Sequence, residues 1–260
     1  MTDIEYNLKK LIENNWLSKN EAEKYFSDNN IIRCINSCTS PEGENIFNAL
    51  TSVPLNKLRA VILGQDPYPN PNHAHGLAFS SRDKTTPESL KNIFRAIDST
   101  YGSNLLNNGK NELTGWVEQG VLLLNTSLTY HKYEDEKCEK KLRDKKQQAI
   151  QKEHLKIWKP FINTVIKKIL SVNNHPAVMF LWGNSAHDIV FGNIKDKEFK
   201  IYIHSREAVI VPGSTIMLLQ ASHPSPLSVN RGGDFLTTVP KHLKACENYL
   251  ANDKIDWTKL

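Results

Sequence analysis

The sequence lacks several features that would assign a protein to a class at once. No run of apolar residues approaches the ~18 that a membrane-spanning helix needs, so no membrane segment is predicted. The first residues, 1–6, include acids and no apolar stretch, which argues against a secretory signal. Neither G-x-x-x-x-G-K-[ST] nor G-x-G-x-x-G is present, so phosphoryl transfer and hydride transfer lose their best support.

Cysteine is also scarce, since the chain has only four, at Cys34, Cys38, Cys138 and Cys246. Only the first two are close together, in a C-x3-C pair, whereas zinc and iron–sulfur sites need several thiolates, usually in C-x2-C pairs. We therefore predict reduced thiols and no zinc or iron–sulfur site. Reduced thiols and the missing signal together favour a cytoplasmic or nuclear protein.

The remaining composition is that of an ordinary globular protein. Of 260 residues, 39% are hydrophobic and 23% are charged, and no repeat or low-complexity linker divides them, so we predict a single domain over residues 1–260. Lys and Arg number 33 against 28 Asp and Glu, a net charge of +5. This modest excess favours an anionic partner without identifying one.

Four short apolar runs predict the strands of a sheet. They lack polar alternation and end at Gly, Pro, Asn or His, which is typical of parallel strands buried on both faces: residues 60–63, 121–124, 178–182 and 216–219. Helical spacing lies between them, at Leu90, Ile93, Phe94 and Ile97 behind Thr86-Pro87, and again over 158–169. We predict an α/β fold in three layers, α/β/α, around a central four-stranded, mainly parallel sheet.

Two segments stand apart from this pattern. Residues 1–40 show helical spacing that predicts two short helices, followed by a Ser/Thr/Pro break at 37–41. Residues 132–152 form a charged insertion without a clear apolar stripe. The default interpretation of such a run is a solvated helix or a mobile loop, and the alternative is a DNA-contacting arm.

Polar residues follow the predicted strands, where ligands bind in open parallel sheets. The first run leads into Gln65 and Asp66, the second ends at Asn125, and the fourth leads to His223. Each has an ordinary structural interpretation, because Asp before Pro often starts a turn and Asn often caps a helix. A carboxylate, a carboxamide and an imidazole at three strand ends of one sheet instead indicate a site.

Five collinear motifs carry a resemblance to a known family. The sequence contains GQDPY at 64–68 followed by AHGLAFS at 74–80, then GVLLLN at 120–125, LWG at 181–183, HPSPLS at 223–228 and IDW at 255–257. In this order they resemble the signatures of the uracil-DNA glycosylases, over roughly residues 41–260. The first forty residues are divergent and not diagnostic.

The resemblance implies a hydrolase of the N-glycosidic bond of uracil flipped out of DNA, acting in base excision repair with no metal and no cofactor. It implies that Asp66 positions the attacking water and stabilises the cationic sugar. His223 would donate a hydrogen bond to uracil O2 as negative charge develops there. For uracil binding it implies that Asn125 reads N3–H and O4, Tyr68 excludes thymine's methyl group, Phe79 stacks on the base and Gln65 supplies main-chain contacts.

The resemblance also implies DNA contacts from three short loops, at Pro87, Ser89, Gly183, Asn184, Ser225, Leu227 and Ser228. The first two open a predicted helix whose N-terminus suits a phosphate. Leu227 matches an apolar wedge that enters the duplex. The sequence departs from the family at Pro69 where His is usual, at Asn184 where Ser is usual, and in the longer connection over 129–154.

Three functions therefore compete: an active uracil-DNA glycosylase, a DNA-binding subunit that keeps the fold as a scaffold, and a glycosylase with broader base choice. Asp66, Tyr68, Asn125 and His223 favour the first, because a scaffold needs none of them and broader choice would relax Tyr68 or Asn125. Expected partners are DNA containing uracil and an inhibitor protein or replication partner. We expect a monomer without membrane contact.

Overall fold

The structure, a computed structural model, describes residues 3–135, 138–194 and 208–260. The sheet that these residues form has five strands: β1 (Ala60–Gly64), β2 (Val121–Asn125), β3 (Ala177–Trp182), β4 (Val209–Ile210) and β5 (Ile216–Ala221). Their order is β2-β1-β3-β5-β4, and every neighbouring pair is parallel except β4 with β5. The α/β fold is confirmed, but the predicted strand number of four is wrong. The two-residue edge strand β4 is too short to give a hydrophobic signal.

Ten α-helices of the described residues surround this sheet: α1 (Asp3–Glu13), α2 (Lys19–Phe26), α3 (Asn29–Asn36), α4 (Asn48–Ser52), α5 (Glu88–Tyr101), α6 (Thr114–Val117), α7 (Lys140–Leu170), α8 (Asn184–Asn193), α9 (Pro226–Asn230) and α10 (Phe235–Leu250). Helices α4 and α6 pack on β2, whereas α8 and α10 pack on β3. None of these described helices combines the length and the apolar character that crossing a membrane requires.

The four parallel strands are almost completely buried, as sheets covered by helices on their faces must be. Strand β1 lies between β2 and β3, so its end is flanked on both sides. Cα partners run from Ala60 opposite Val121 to Gly64 opposite Asn125. This register brings the carboxyl ends of β1 and β2 to the same edge of the sheet.

The N-terminal segment forms three helices, not the two predicted. The Asp28 side chain accepts a hydrogen bond from the Asn30 backbone N–H and starts α3 directly after α2 has ended, which the apolar spacing did not reveal. These helices share the main core, because Trp16 is fully buried and its indole N–H donates to Val53 O at 2.8 Å. The Tyr25 hydroxyl likewise donates to Pro160 O at 3.0 Å.

Helix α7 combines the charged stretch and the predicted helix over 158–169 in one helix of 31 residues. Of the predicted insertion, residues 132–135 and 138–139 precede this helix, and residues 140–152 form its first part. Residues 136 and 137 lie outside the described ranges. Its inner face is polar in the first half of the helix: Gln147 Nε2 donates to His131 O at 2.9 Å, and His154 Nδ1 lies 2.9 Å from Thr129 Oγ1. Hydrogen bonds rather than apolar side chains hold this part of α7, so hydrophobic periodicity alone does not detect it.

Candidate active site

A cavity of about 290 Å³ opens at the carboxyl edge of the sheet. The predicted site residues that line it are Gln65, Asp66, Tyr68, Phe79, Ser89, Asn125 and His223. They come from the segment after β1, the start of α5, the end of β2 and the segment after β5. The structure therefore brings together the carboxylate, carboxamide and imidazole that the sequence places at separate strand ends.

Asp66 lies in this cavity two residues beyond the end of β1. Burial disfavours the charged form and raises the pKa of its carboxyl to about 6. Oxygen Oδ2 accepts a hydrogen bond from Gln151 Nε2 at 3.0 Å. At neutral pH the group is a carboxylate in a partly dry setting, with Oδ1 available to a ligand or water.

Asn125 ends β2 directly opposite Gly64, and only 6% of its surface is exposed. A Cβ atom at position 64 would lie 2.2 Å from Asn125 Oδ1, so glycine is required there for the carboxamide to take this position. No described residue makes a hydrogen bond to the Asn125 side chain. Its one acceptor and two donors are therefore available within the cavity.

His223 is neutral and held in one tautomer. Burial disfavours its charged form and lowers the pKa of the imidazole below its usual range. The Ser225 backbone N–H donates to His223 Nδ1 at 3.0 Å, so Nδ1 is the acceptor and Nε2 carries the proton. Gly183, at φ +85°, packs against this ring, because a Cβ there would lie 2.9 Å from His223 Cβ.

Tyr68 and Phe79, two of the aromatic residues that line the cavity, are joined by a hydrogen bond. The Tyr68 hydroxyl donates to Phe79 O at 3.2 Å, and burial raises the pKa of the phenol so that it stays neutral. Phe79 adopts φ +63°, an unusual backbone conformation for a bulky residue. Its ring centroid lies 6.0 Å from that of His223 and 5.9 Å from that of Trp182. The cavity thus has rigid aromatic walls beside its polar groups.

Gln65 contributes through its backbone more than through its side chain, which is exposed. Its carbonyl accepts from the Ser127 N–H at 2.8 Å and from Thr126 Oγ1 at 3.1 Å. Ser40 Oγ donates to Tyr68 O at 2.6 Å on the other side of the same loop. These bonds tie the segment after β1 to the segment after β2.

A second cavity, of about 440 Å³, adjoins the first and shares Gly64, Gln65 and His223 with it. Its lining adds several predicted DNA-contact residues, namely Gly183, Asn184, Ser225 and Ser228. Asn184 begins α8 rather than lying in an open loop, and Gly183 is its N-cap. The backbone N–H groups of a helix start, together with serine hydroxyls, provide hydrogen-bond donors suited to an anion.

The other predicted DNA contacts flank these cavities. Pro87 is the N-cap of α5, not its first helical residue as the Thr86-Pro87 pair predicts, and Ser89 reaches the first cavity. Leu227 is 62% exposed on the short helix α9. The HPSPLS segment is therefore partly helical, with Ser225 as an N-cap whose Oγ accepts from the Ser228 N–H.

Two residues of the site were missed by the sequence analysis. Gln151 contacts Asp66 from α7, and Asn92 Nδ2 donates to Pro224 O at 2.8 Å and so anchors the segment next to His223. Asn92 is in turn bound by Arg95 Nη1 at 2.7 Å. One signal could have pointed to Asn92: it is a polar residue at a buried position of the helix α5.

Among the described residues, no group of three or more His, Cys, Asp or Glu side chains could hold a metal ion. The four cysteines are free thiols, and burial raises the pKa of Cys38 to about 11. The polar side chains that line the first cavity include a carboxylate, an imidazole and a carboxamide.

This chain is similar in sequence to proteins of one known family. The family model described as the Uracil DNA glycosylase superfamily matches residues 51–251. A uracil-DNA glycosylase of Francisella tularensis subsp. novicida is 37% identical over 226 residues, which are 85% of this chain and 84% of that protein. One of Francisella tularensis subsp. holarctica shows the same identity and coverage.

Solved structures share the fold at lower sequence identity. The crystal structure of mimivirus uracil-DNA glycosylase has a TM-score of 0.63 at 20% identity, covering 92% of this chain and 86% of that one. A variant of mimivirus UNG in complex with UGI has a TM-score of 0.60 at 21% identity, covering 85% and 75%. The UNG of Nitratifractor salsuginis has a TM-score of 0.54 at 17% identity, covering 95% and 96%.

Proposed function

The chain belongs to the uracil-DNA glycosylase superfamily, and we propose that its cavity at the carboxyl edge of the sheet is where the family's reaction takes place. The reaction is hydrolysis of the N-glycosidic bond of uracil flipped out of single- or double-stranded DNA, which leaves an abasic site and starts base excision repair. The observation that carries the proposal is the convergence of Asp66, Asn125 and neutral His223 on one small cavity.

Asp66 acts on the sugar side of the bond. As the bond to uracil breaks, the deoxyribose becomes oxocarbenium-like, and a nearby carboxylate stabilises that positive charge. The same carboxylate holds the attacking water through Oδ1, since Oδ2 is occupied by Gln151. Water adds to C1′, and the proton that it releases passes to Asp66 or to solvent.

His223 acts on the base side of the bond. Uracil leaves as an anion with charge on O2, and the Nε2–H of His223 is the donor for that oxygen, because Nδ1 is already engaged by the Ser225 N–H. A neutral donor suits this role because burial keeps the imidazole uncharged before the base arrives. The stabilisation is therefore greatest once charge has developed on the base.

Asn125, Tyr68 and Phe79 select the base. The Asn125 carboxamide accepts from uracil N3–H and donates to O4, whereas cytosine presents the opposite pattern at these two positions. Tyr68 occupies the space that the C5 methyl group of thymine requires. Phe79 provides the ring on which uracil stacks, next to His223.

The second cavity and Leu227 hold the DNA. Backbone N–H groups at the start of α8 and the hydroxyls of Ser225 and Ser228 bind phosphates on one side of the flipped nucleotide. At the start of α5, Ser89 offers a hydroxyl donor to the DNA backbone, and Pro87 lies beside it as the N-cap. Exposed Leu227 enters the stack that uracil leaves.

An inhibitor protein that covers this face is a candidate partner. The monomeric state and the cytoplasmic or nuclear location stay predictions.

The test is uracil release from single-uracil oligonucleotides, single- and double-stranded, with a chelator present. Matched oligonucleotides with thymine or cytosine are the controls. We expect release from uracil substrates alone, unaffected by the chelator, and near-complete loss of turnover in Asp66→Asn with DNA binding retained. Binding without release by the unmodified protein would support the scaffold interpretation instead, and near-normal turnover in Asp66→Asn would remove Asp66 from its role.

A further inference from the structure

The N-terminal part of α7, residues 140–152, carries an unusual concentration of positive charge. It holds six basic side chains and one acidic one, a net charge of +5 that equals the formal net charge of the whole chain. The basic residues are Lys140, Lys141, Arg143, Lys145, Lys146 and Lys152. The rest of the chain is thus balanced, and the excess of positive charge is local.

These charges are not neutralised within the described part of the protein. Lys146 contacts the Tyr133 hydroxyl and ring, but no ion pair joins any of the six to a carboxylate of a described residue. The first turn of α7 also has no acidic residue, and Lys140 and Lys141 occupy it. Cations at a helix N-terminus oppose the helix dipole, so local stability does not explain this arrangement.

Part of this charge forms a stripe along one side of the helix. Lys141, Lys145 and Lys152 are separated by four and seven residues, which places them on one face of an α-helix, and all three are exposed. The inner face alongside carries Gln151, whose side chain reaches Asp66 in the cavity. Lys152 follows Gln151 directly, so the C-terminal end of the lysine stripe lies on the same helical turn as the side chain that reaches Asp66.

The direction of the stripe is set by contacts further along α7. Asn163, eleven residues after Lys152 and close to the same face, accepts a hydrogen bond from Asn193 Nδ2 of α8 at 3.0 Å. Glu153, on another side of the helix, pairs with Arg33 of α3 at 2.6 Å. The face of α7 that carries the lysine stripe is thus the one that contacts the C-terminal end of α8 further along, and it differs from the side that pairs with α3.

We propose that Lys141, Lys145 and Lys152 form an additional binding surface for the phosphate backbone of DNA, beside the flipped nucleotide. The inference rests on the proposed function, because it is the nucleic acid held at the cavity that brings phosphates to this helix. Such contacts are independent of sequence and of uracil, and they release counterions when they form. They raise the affinity for long DNA without taking part in bond cleavage.

The experiment compares two triple variants with equal loss of charge. The first is Lys141→Ala, Lys145→Ala and Lys152→Ala, substitutions that favour an exposed helix. The control is Lys19→Ala, Lys57→Ala and Lys254→Ala, exposed lysines that lie outside α7. The dissociation constant of a duplex of about two helical turns is measured from low to moderate salt for each variant, with and without one uracil.

For the stripe variant we expect the slope of log affinity against log salt to fall by about 2 to 3, at about 0.9 for each lost phosphate contact. Affinity at ~0.1 M salt should drop at least tenfold on both duplexes. Single-turnover cleavage at saturating DNA should change less than twofold. The control variant should keep the wild-type slope.

Equal slopes in the stripe and control variants would overturn the proposal, as would a normal slope combined with slower cleavage. Failure of the proposed function would look different. The unmodified protein would then release no uracil, while the salt dependence on uracil-free duplex would still show whether the stripe binds a DNA backbone.

Discussion

Gln151 Nε2 lies 3.0 Å from Asp66 Oδ2, so a side chain of the charged helix α7 holds the carboxylate that follows β1. Two effects therefore act on the same group. Burial raises the pKa of Asp66 to about 6, whereas a hydrogen bond to its charged form favours ionisation. The bond also fixes the rotation of the carboxyl group and directs Oδ1 toward the cavity.

Gln151→Ala should shift the acid limb of the pH profile of cleavage to higher pH by about one unit, because a hydrogen bond to a charged group is worth about 1.5 kcal/mol or more. Single-turnover rates from pH 5 to 8 measure the shift. Gln148→Ala, an exposed glutamine three residues earlier on α7, is the control and should leave the profile in place. A lower rate at every pH, without movement of the limb, would mean that Gln151 is only structural.

Asp66→Asn should stabilise the folded protein at alkaline pH. The pKa of this carboxyl is about 6 in the folded state against an ordinary value of 3.8, so the folded state binds the proton more tightly than the unfolded chain. Ionisation of Asp66 therefore lowers the free energy of unfolding. This loss is absent below about pH 4, grows as the pH rises, and reaches its full value of about 3 kcal/mol above pH 6. Denaturant unfolding at pH 3.5 and pH 8 should show a gain at pH 8 alone.

The matched control for that measurement is Asp144→Asn, an exposed carboxylate on α7. It should change the free energy of unfolding little at either pH. An equal stability of Asp66→Asn and the unmodified protein at pH 8 would contradict the view that this carboxylate is held ionised at a cost to the fold.

Tyr68→Ala should admit thymine, because it empties the space that the C5 methyl group needs. Tyr68→Phe keeps the ring and loses only the hydroxyl that donates to Phe79 O, so it should still reject thymine. Release of each base from matched oligonucleotides measures the discrimination. If Tyr68→Ala still released uracil alone, the ring would not be the steric barrier.

His223 should be a neutral imidazole at pH 7 with its proton on Nε2, which ¹⁵N shifts of the ring nitrogens report directly. Burial lowers the pKa of this imidazole, so its protonation moves to lower pH than that of an exposed histidine. Ser225→Pro removes the N–H that binds Nδ1, and its φ of −63° suits proline, so the tautomer preference should weaken. Ser225→Ala keeps that N–H and should preserve the tautomer. A doubly protonated ring at pH 7 would contradict the assignment.

Leu227→Ala should reduce cleavage of duplex DNA at least tenfold, since the wedge offsets an unstacking cost of a few kcal/mol per base step. Single-stranded substrates need no wedge and should be cleaved nearly as before. Leu142→Ala is the control, because Leu142 is also an exposed leucine, at 47%. Equal losses on both substrates would indicate a packing defect rather than a missing wedge.

Much of the fold and of the cavity could be predicted from the sequence because these features rest on contiguous patterns. The parallel strands β1, β2, β3 and β5 are unbroken apolar runs, and the residues that follow them lie in short motifs. Their common edge follows from the parallel order alone. Asp66, Asn125 and His223 therefore meet where the strand ends indicate.

The contacts that the sequence did not predict depend on distant polar partners. Gln151 is 85 residues from Asp66 and lies in a stretch whose polarity is typical of solvent-facing helix. Asn92 and Pro224 are 132 residues apart, and neither spacing nor composition relates them. Hydrogen bonds of this kind depend on how whole helices and strands pack together, and hydrophobic periodicity does not reveal that packing.

The cavity is assembled from pieces that adjoin only after the sheet is complete. Asp66 is positioned by β1, Asn125 by β2, and His223 by β5. Strand β5 pairs with β3 and is the last of these strands in the sequence. Parallel pairing of this kind joins distant parts of a chain and forms slowly. Catalytic turnover is therefore a reporter of folding: during refolding from denaturant, its recovery should lag behind the return of helical circular dichroism.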